Sequence, residues 1–258
     1  MFDEGEAFAL ITIQTTQFSC PFQKQLDKSD TVETNSPLSM ICEIKYYEQH
    51  INPKIFKEKK SLFLKKNKAT INMKEALIIV DVQNDYFPDG NLPTWRPVET
   101  ANEIKKIMDK FRQDGKEVIH VAHHLSPEHE KVMNFLVKGT RGAEIHEIVK
   151  PLETEKIIYK NYSDSFVATD LKEYLLSKGI DTVIVVGMMI HNCVNATAYS
   201  GTDEGFKTIV VAEAVNTLDQ EIFGEVIPAE TIWKSFLAGI KFAYAQVKKV
   251  DEILNGNY

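Results

Sequence analysis

Apolar strand-like segments alternate with amphipathic helix-like segments from residue 73 to the C-terminus, and this alternation constrains the fold more than any other feature of the chain. The predicted strands are 76–82, 118–122, 156–160, 183–186 and 208–212, with a short edge strand at 248–251. The predicted helices are 97–113, 169–177, a segment that follows Cys193, and 228–247, with Ile232, Phe236, Ile240 and Tyr244 facing inward. Parallel strands need crossover connections, so the pattern predicts an α/β fold with three layers, α/β/α, around a mostly parallel, Rossmann-like sheet of about six strands.

Composition favours a globular protein that acts on small molecules. Of the 258 residues, 43% are hydrophobic and 26% are charged, which is ordinary for a globular chain. The net charge of −7 argues against a nucleic-acid partner. The three cysteines include no Cys-x-x-Cys pair, the N-terminus is acidic, and no apolar run reaches the roughly 18 residues of a membrane span. We therefore expect a cytoplasmic protein with no disulfide framework and no membrane partner.

Residues 1–72 lack the regular alternation of strand-like and helix-like segments seen in the rest of the chain, and their sequence does not indicate a fold. Two segments, 8–15 and 40–47, are candidate strands separated by a polar stretch. The segment 54–68 carries seven lysines and one glutamate, which suits a surface helix, a basic patch that binds anions or an acidic partner, or a solvated linker. We expect an N-terminal extension of unknown fold over 1–72 and a compact domain over 73–258.

Three chemically capable side chains follow predicted strands. Asp81 lies at the end of the first strand, Lys160 at the end of the third, and Cys193 after the fourth, where a helix begins. Each side chain also has a purely structural interpretation: Asp81 as a helix cap or an ion-pair partner, Lys160 as a surface lysine, and Cys193 as a buried packing residue. Because ligands of such folds bind at the carboxyl ends of the strands, the pattern favours one shared site. A thiol at a helix N-terminus is expected to favour the thiolate.

Four segments in order resemble the isochorismatase-like cysteine hydrolases, which include nicotinamidases and N-carbamoylsarcosine amidohydrolase. They are Asp81-Val-Gln-Asn-Asp-Tyr-Phe, Gly139-Thr-Arg-Gly-Ala-Glu-Ile-His, Lys160-Asn-Tyr-Ser-Asp-Ser-Phe and Gly187-Met-Met-Ile-His-Asn-Cys-Val. The resemblance runs from about residue 73 to the C-terminus and leaves out residues 1–72. It implies the isochorismatase-like hydrolase fold for 73–258, and a homo-oligomer.

The resemblance also implies a catalytic triad of Asp81, Lys160 and Cys193. Asp81 would take the thiol proton and later deliver it to a leaving amine, while Lys160 would keep Asp81 charged and favour the thiolate. The backbone amides of Met189 and Cys193 would bind the oxyanion, presented by a cis peptide at Met188–Met189. Side chains expected near the substrate are Gln83, Tyr86, Phe87, Trp95, Phe166 and His191, although the aromatic ones suit core packing equally well.

Two departures from the family pattern matter. Ile190 stands where the family often has threonine, which removes a hydroxyl near the turn. Nicotinamidases hold a divalent ion with an Asp-x-His pair, but here His123 and Leu125 occupy those positions. His123 and His124 are weak candidates for zinc ligands, because adjacent strand residues point to opposite faces. We therefore expect no metal and no other cofactor.

The presence of Cys193 indicates hydrolysis of a C–N bond, because isochorismatases that cleave a vinyl ether typically lack this cysteine. The leading interpretation is a cysteine amidohydrolase that acts on a small carboxamide or carbamoyl compound. One alternative is a nicotinamidase. Another, of a different class, is a thiol redox sensor or a binding protein without catalysis.

Overall fold

The computed structural model describes residues 74–258, so the predicted strands and the lysine-rich segment within residues 1–72 lie outside the described residues. The strands are β1 (Glu75–Val80), β2 (Glu117–His123), β3 (Lys156–Lys160), β4 (Thr182–Met188), β5 (Lys207–Asn216), β6 (Gln220–Ile222), β7 (Glu225–Ile227) and β8 (Gln246–Lys248). The α-helices are α1 (Pro97–Gln113), α2 (Leu171–Ser177), α3 (Cys193–Asp203), α4 (Ala229–Ala243) and α5 (Val250–Leu254). No helix of residues 74–258 has the length and apolar character needed to cross a membrane.

Six strands form one parallel sheet in the order β3-β2-β1-β4-β5-β8. This order confirms the predicted parallel sheet. The chain builds outward from β1 through β2 to β3, and then outward on the other side from β4 through β5 to β8. The strand order therefore reverses between β1 and β4, and the carboxyl ends of these two strands are where such folds bind ligands.

Helices cover both faces of the sheet, which explains why its strands are apolar without alternation. Leu77 and Ile79 of β1 face one core, which includes buried side chains of α1 and α5. Ile78 and Val80 face the other, which includes buried side chains of α2, α3 and α4. The alternation of side chains along a strand thus divides β1 between two hydrophobic cores. The three-layer α/β/α prediction is confirmed.

The C-terminal segment differs from the prediction. Helix α4 ends at Ala243 rather than at 247, and Tyr244, expected to face inward, is 42% exposed. The final strand β8 spans 246–248 instead of 248–251, because Val247 pairs with Val210 at the edge of the sheet. Residues from Val250 onward then form helix α5. The helical period of 228–247 continues past the end of α4 in the sequence, but pairing with β5 overrides it.

A short antiparallel hairpin of β6 and β7 was not predicted from the sequence. Its strands have three residues each, and the turn between them contains Phe223, which is 97% exposed. Three-residue strands carry too few side chains for a period to be recognised. The hairpin adds a projection between β5 and α4.

Candidate active site

Asp81 and Lys160 form a buried ion pair at the carboxyl edge of the sheet. The Lys160 ammonium donates a hydrogen bond to Asp81 Oδ2 at 2.7 Å, and both side chains are fully buried. Burial lowers the pKa of Lys160, but the charge of Asp81 and the hydrogen bond to Asp81 oppose burial, and the pKa is raised overall. A cation therefore stays at this position, next to the carboxylate that needs it.

The backbone at Asp81 directs this carboxylate away from the strand. Asp81 has a φ of 52°, in the left-handed region, which ends β1 and which aspartate tolerates better than most residues. Its N–H donates to the carbonyl of Val121 in β2 at 2.9 Å. Among residues 74–258, the buried Oδ1 of Asp81 has no hydrogen-bond partner. The carboxylate thus keeps one oxygen able to accept a proton or a hydrogen bond.

Cys193 is the first residue of α3, and the turn that precedes it contains the cis peptide Met188–Met189 that the resemblance implied. The thiol is almost fully buried. Burial and then the charge of Asp81 raise the pKa of Cys193, Lys160 opposes both, and the net pKa is about 12. Lys160 thus favours the thiolate, as expected, but burial and Asp81 outweigh it, which corrects the expectation that the thiolate is the favoured form. The resting side chain is a neutral thiol, which needs a base before it can attack.

His123 completes the cluster, and the sequence had indicated it only as a weak metal ligand. Its Nδ1 lies 2.9 Å from the Lys160 ammonium and 3.7 Å from the Cys193 sulfur. Since the ammonium can only donate, Nδ1 accepts and the proton of the neutral ring is on Nε2. Burial and then the charge of Lys160 lower the pKa of His123 to about 4, so the ring is neutral at physiological pH. The strand order could have indicated His123, because it is the last residue of β2, which lies between the strand followed by Asp81 and the strand that ends at Lys160.

Gln83 fixes the main chain of His123. Its amide group donates to the His123 carbonyl at 2.9 Å and to the Ala143 carbonyl at 2.7 Å. Its oxygen accepts a hydrogen bond from the His123 N–H at 2.8 Å. The side chain is fully buried. Gln83, predicted to contact the substrate, is therefore placed as a brace for the end of β2.

A cavity of ≈ 290 Å³ lies against the thiol. Tyr86, which was predicted, is among the residues that line it. The others are Cys193, Met189, Asn192, His123, Leu125, His129, Met133, Phe135, Leu136, Asn161, Tyr162 and Ser163. Many of these belong to irregular loops after β2 and β3. Their positions had no periodic signal in the sequence.

The remaining predicted pocket residues are placed elsewhere. Phe87 stacks on His146, with ring centres 3.6 Å apart. Trp95 lines a separate pocket and meets Trp233 edge to face. Two others also have partners of their own: Phe166 stacks on Phe206, and His191 hydrogen-bonds through Nδ1 to Thr217. None of these four is among the residues that line the cavity at Cys193.

The amides of Met189 and Cys193 flank the turn before α3. The Met189 carbonyl accepts hydrogen bonds from Asn192 and Val194 at 3.0 and 3.2 Å, which tightens this turn. Residues 74–258 also contain backbone hydrogen bonds that do not belong to regular helices or strands, and neither the Met189 N–H nor the Cys193 N–H donates one of these. The first amides of a helix have no partner within it, so the Cys193 N–H is free to bind an anion.

The cluster does not fit a divalent metal ion. Within residues 74–258, Asp81, His123 and Cys193 are the group whose ligand atoms lie within 4.8 Å of one another. However, Asp81 Oδ2 and His123 Nδ1 both bind the Lys160 ammonium, so a metal would have to displace a buried cation. His124 does not help, since its ring stacks on Tyr159.

Comparison with known proteins gives one consistent match. A family model described as the Isochorismatase domain matches residues 75–223. The uncharacterized isochorismatase family protein YddQ of Bacillus subtilis is 37% identical over 182 residues, which cover 70% of this chain and 99% of YddQ. Maleamate amidohydrolase of Pseudomonas putida is 30% identical over 55% of this chain and 72% of its own.

Solved structures show the same similarity. A protein from Oleispira antarctica, described as a candidate isochorismatase hydrolase, is 35% identical with a TM-score of 0.67, and the match covers 72% of this chain and 98% of that one. N-carbamoylsarcosine amidase from Thermoplasma acidophilum is 28% identical with a TM-score of 0.59, covering 70% of this chain and 98% of its own.

Proposed function

The chain belongs to the isochorismatase family of hydrolases, and we propose that it hydrolyses a C–N bond, amide or carbamoyl, of a small molecule through a covalent intermediate on Cys193. The observation that carries this proposal is the arrangement of Cys193 beside a buried Lys160–Asp81 ion pair and a small cavity. A neutral thiol, an adjacent carboxylate and an enclosed space are the parts that acyl transfer requires.

In the first step, Asp81 accepts the Cys193 proton as the sulfur attacks the carbonyl carbon. Oδ1 suits this role because, among residues 74–258, it has no competing partner. The raised pKa of the thiol means that proton transfer accompanies attack rather than preceding it. The carbonyl π electrons move to oxygen, and the oxyanion accepts hydrogen bonds from the Met189 and Cys193 amides.

The intermediate then collapses and the C–N bond breaks. Asp81 returns its proton to the leaving nitrogen, which departs as ammonia or an amine, and a thioester remains on Cys193. Water attacks this thioester with Asp81 again as base. The S–C bond breaks and the thiol recovers its proton, so the products are a carboxylic or carbamic acid and the nitrogen base.

Lys160 has a supporting role in this scheme. Its three N–H groups donate to Asp81, to His123 and to the carbonyl of Tyr162. These contacts hold the carboxylate in a fixed orientation while it accepts and returns the proton. His123, neutral and braced by Gln83, acts as a positioning residue for the ammonium.

The two alternatives have less support. A nicotinamidase from Acinetobacter baylyi is 29% identical, but the residues here do not fit a divalent ion. Peroxide sensing needs a thiolate, and the raised pKa of Cys193 disfavours it. Nicotinamide is nevertheless included among the test substrates.

The experiment is ammonia release from a panel of small amides, including nicotinamide, pyrazinamide, formamide and N-carbamoyl amino acids. Wild type is compared with Cys193→Ala, and Ser177→Ala, outside the cavity, is the control for a serine or cysteine side chain shortened to alanine. We expect Cys193→Ala to abolish release and Ser177→Ala to retain it. Equal turnover by wild type and Cys193→Ala would exclude the covalent mechanism, and turnover of no amide by wild type would reject amide hydrolysis.

A further inference from the structure

We propose that the cavity at Cys193 selects amides whose acyl part is uncharged and carries a hydrogen-bond acceptor for His123. This inference rests on the proposed hydrolysis at Cys193 and concerns the part of the substrate that the hydrolysis leaves unspecified. Three properties of the cavity lead to it: a wall formed mostly by apolar and aromatic side chains, no available counter-ion, and a free N–H donor on His123 near the thiol.

The wall of the cavity is mainly apolar. Its volume of ≈ 290 Å³ is at the low end of the range for small-molecule sites. Apolar or aromatic side chains from several loops form most of its lining, namely Tyr86, Leu125, Met133, Phe135, Leu136, Tyr162 and Met189. Such a wall stabilises a compact acyl group by removing apolar surface from water.

No charged partner for an anionic substrate lines this cavity within residues 74–258: the lining there contains no lysine, arginine, aspartate or glutamate. The Lys160 ammonium beneath it is already saturated, because its three N–H groups donate to Asp81 Oδ2, His123 Nδ1 and the Tyr162 carbonyl at 2.7, 2.9 and 3.1 Å. A carboxylate in the acyl group would lose its water and gain no counter-ion.

His123 supplies a donor to the cavity. Its Nδ1 accepts from Lys160, so its Nε2 carries the ring proton. Within residues 74–258, Nε2 makes no hydrogen bond. If Nε2 were also fully buried, it would count among the buried polar atoms that lack a partner, and it does not. It therefore retains some accessible surface, and His123 lines the cavity. A substrate acceptor that meets this N–H is favoured over a methylene group at the same place.

Three amides of similar length separate these features: succinamate, its methyl ester and pentanamide. The first has a charged acceptor, the second an uncharged acceptor, and the third no acceptor. With ammonia release as the readout, we expect kcat/KM to be highest for the ester, roughly 2- to 10-fold lower for pentanamide, and about 100-fold or more below the ester for succinamate.

His123→Asn tests the donor. Asparagine keeps an acceptor for Lys160 but lacks Nε2, so the ratio of kcat/KM for the ester to that for pentanamide should fall towards one. Ser177→Ala, which lies outside the cavity wall, should keep the wild-type ratio. A general loss of activity would lower both substrates together, so an unchanged ratio in His123→Asn would overturn the role of His123. Succinamate equal to or better than its ester would overturn the requirement for an uncharged group.

A second readout does not depend on turnover. The same compounds are tested as protectants of Cys193 against iodoacetamide, with alkylation measured on the peptide that contains Cys193. Protection in the order ester, pentanamide, succinamate supports the inference, and protection by none of them, together with no turnover, overturns it. If other amides then still release ammonia in a Cys193-dependent manner, the proposed hydrolysis at Cys193 is retained and only the proposed preference for an uncharged acyl group with an acceptor is rejected.

Discussion

Replacing His123 by asparagine is expected to make the stability of the protein less sensitive to acid. In the folded protein, burial and the neighbouring Lys160 ammonium lower the pKa of His123 from 6.5 to about 4. Between these two values the unfolded chain binds a proton that the folded protein does not. The free energy of unfolding therefore falls as the pH drops through this window.

The magnitude follows from the size of the pKa shift. A shift of one unit corresponds to about 1.4 kcal/mol, so protonating His123 in both states costs the folded protein about 3 kcal/mol in all. Between about pH 7.5 and about pH 5, linkage gives a loss of about 2 kcal/mol from this residue. The asparagine of the variant cannot titrate, so the variant should lose about 2 kcal/mol less than wild type over the same interval.

The assay is urea unfolding at the two pH values, followed by the fluorescence of Trp95 and Trp233. Other histidines contribute equally to both proteins and cancel in the comparison. His129→Gln, which removes an exposed histidine, is the matched control for the loss of one imidazole. If wild type and His123→Asn lost the same stability on acidification, the imidazole would not be held neutral by burial and Lys160, and the reasoning would be refuted.

Three further predictions concern the ion pair, the sheet and the domain boundary. Lys160→Met should lower the free energy of unfolding by about 3–5 kcal/mol, because the Asp81 carboxylate is then buried without a partner. The double variant Asp81→Asn/Lys160→Met should recover most of this loss in urea unfolding, and it should release no ammonia. A double variant as unstable as Lys160→Met would contradict the account. Gly187→Ala should destabilise by about 4 kcal/mol or more, because an added Cβ lies 2.0 Å from a carbonyl oxygen of β1. Gly205→Ala, where φ is also positive but no atom lies within 4 Å, is its control, and equal effects of the two in urea unfolding would mean that the clash is relieved. Removal of residues 1–72 should leave kcat/KM for ammonia release within about 2-fold, since the family match begins at residue 75; a larger loss would place part of the site in residues 1–72.

The sequence predicted the sheet well where strands are long and buried on both faces. The β-branched run from Val183 to Val186 indicated β4, and the order of segments indicated parallel pairing. It placed the edge strand β8 two or three residues too late and missed the β6–β7 hairpin, because three-residue strands depend on tertiary pairing. The boundary at residue 73, the cytoplasmic location and the homo-oligomer stay predictions.

Within the site, strand ends indicated Asp81, Lys160 and Cys193, and the structure brings all three together. The cavity wall could not be predicted, because residues such as Met133 and Phe135 lie in irregular loops without a period. The state of the thiol was also predicted incorrectly. A helix N-terminus favours thiolate, but the burial that outweighs it depends on packing that no local pattern reports.

The most direct test of the central claim is to trap the acyl group on the enzyme. Wild type is mixed with an amide that it turns over, the reaction is stopped in acid within the first turnovers, and the peptide that contains Cys193 is weighed by mass spectrometry. We predict an increase equal to the mass of the acyl group on Cys193, which disappears as the substrate is exhausted and never forms in Cys193→Ala. Ammonia release at the wild-type rate by Cys193→Ala would contradict the account.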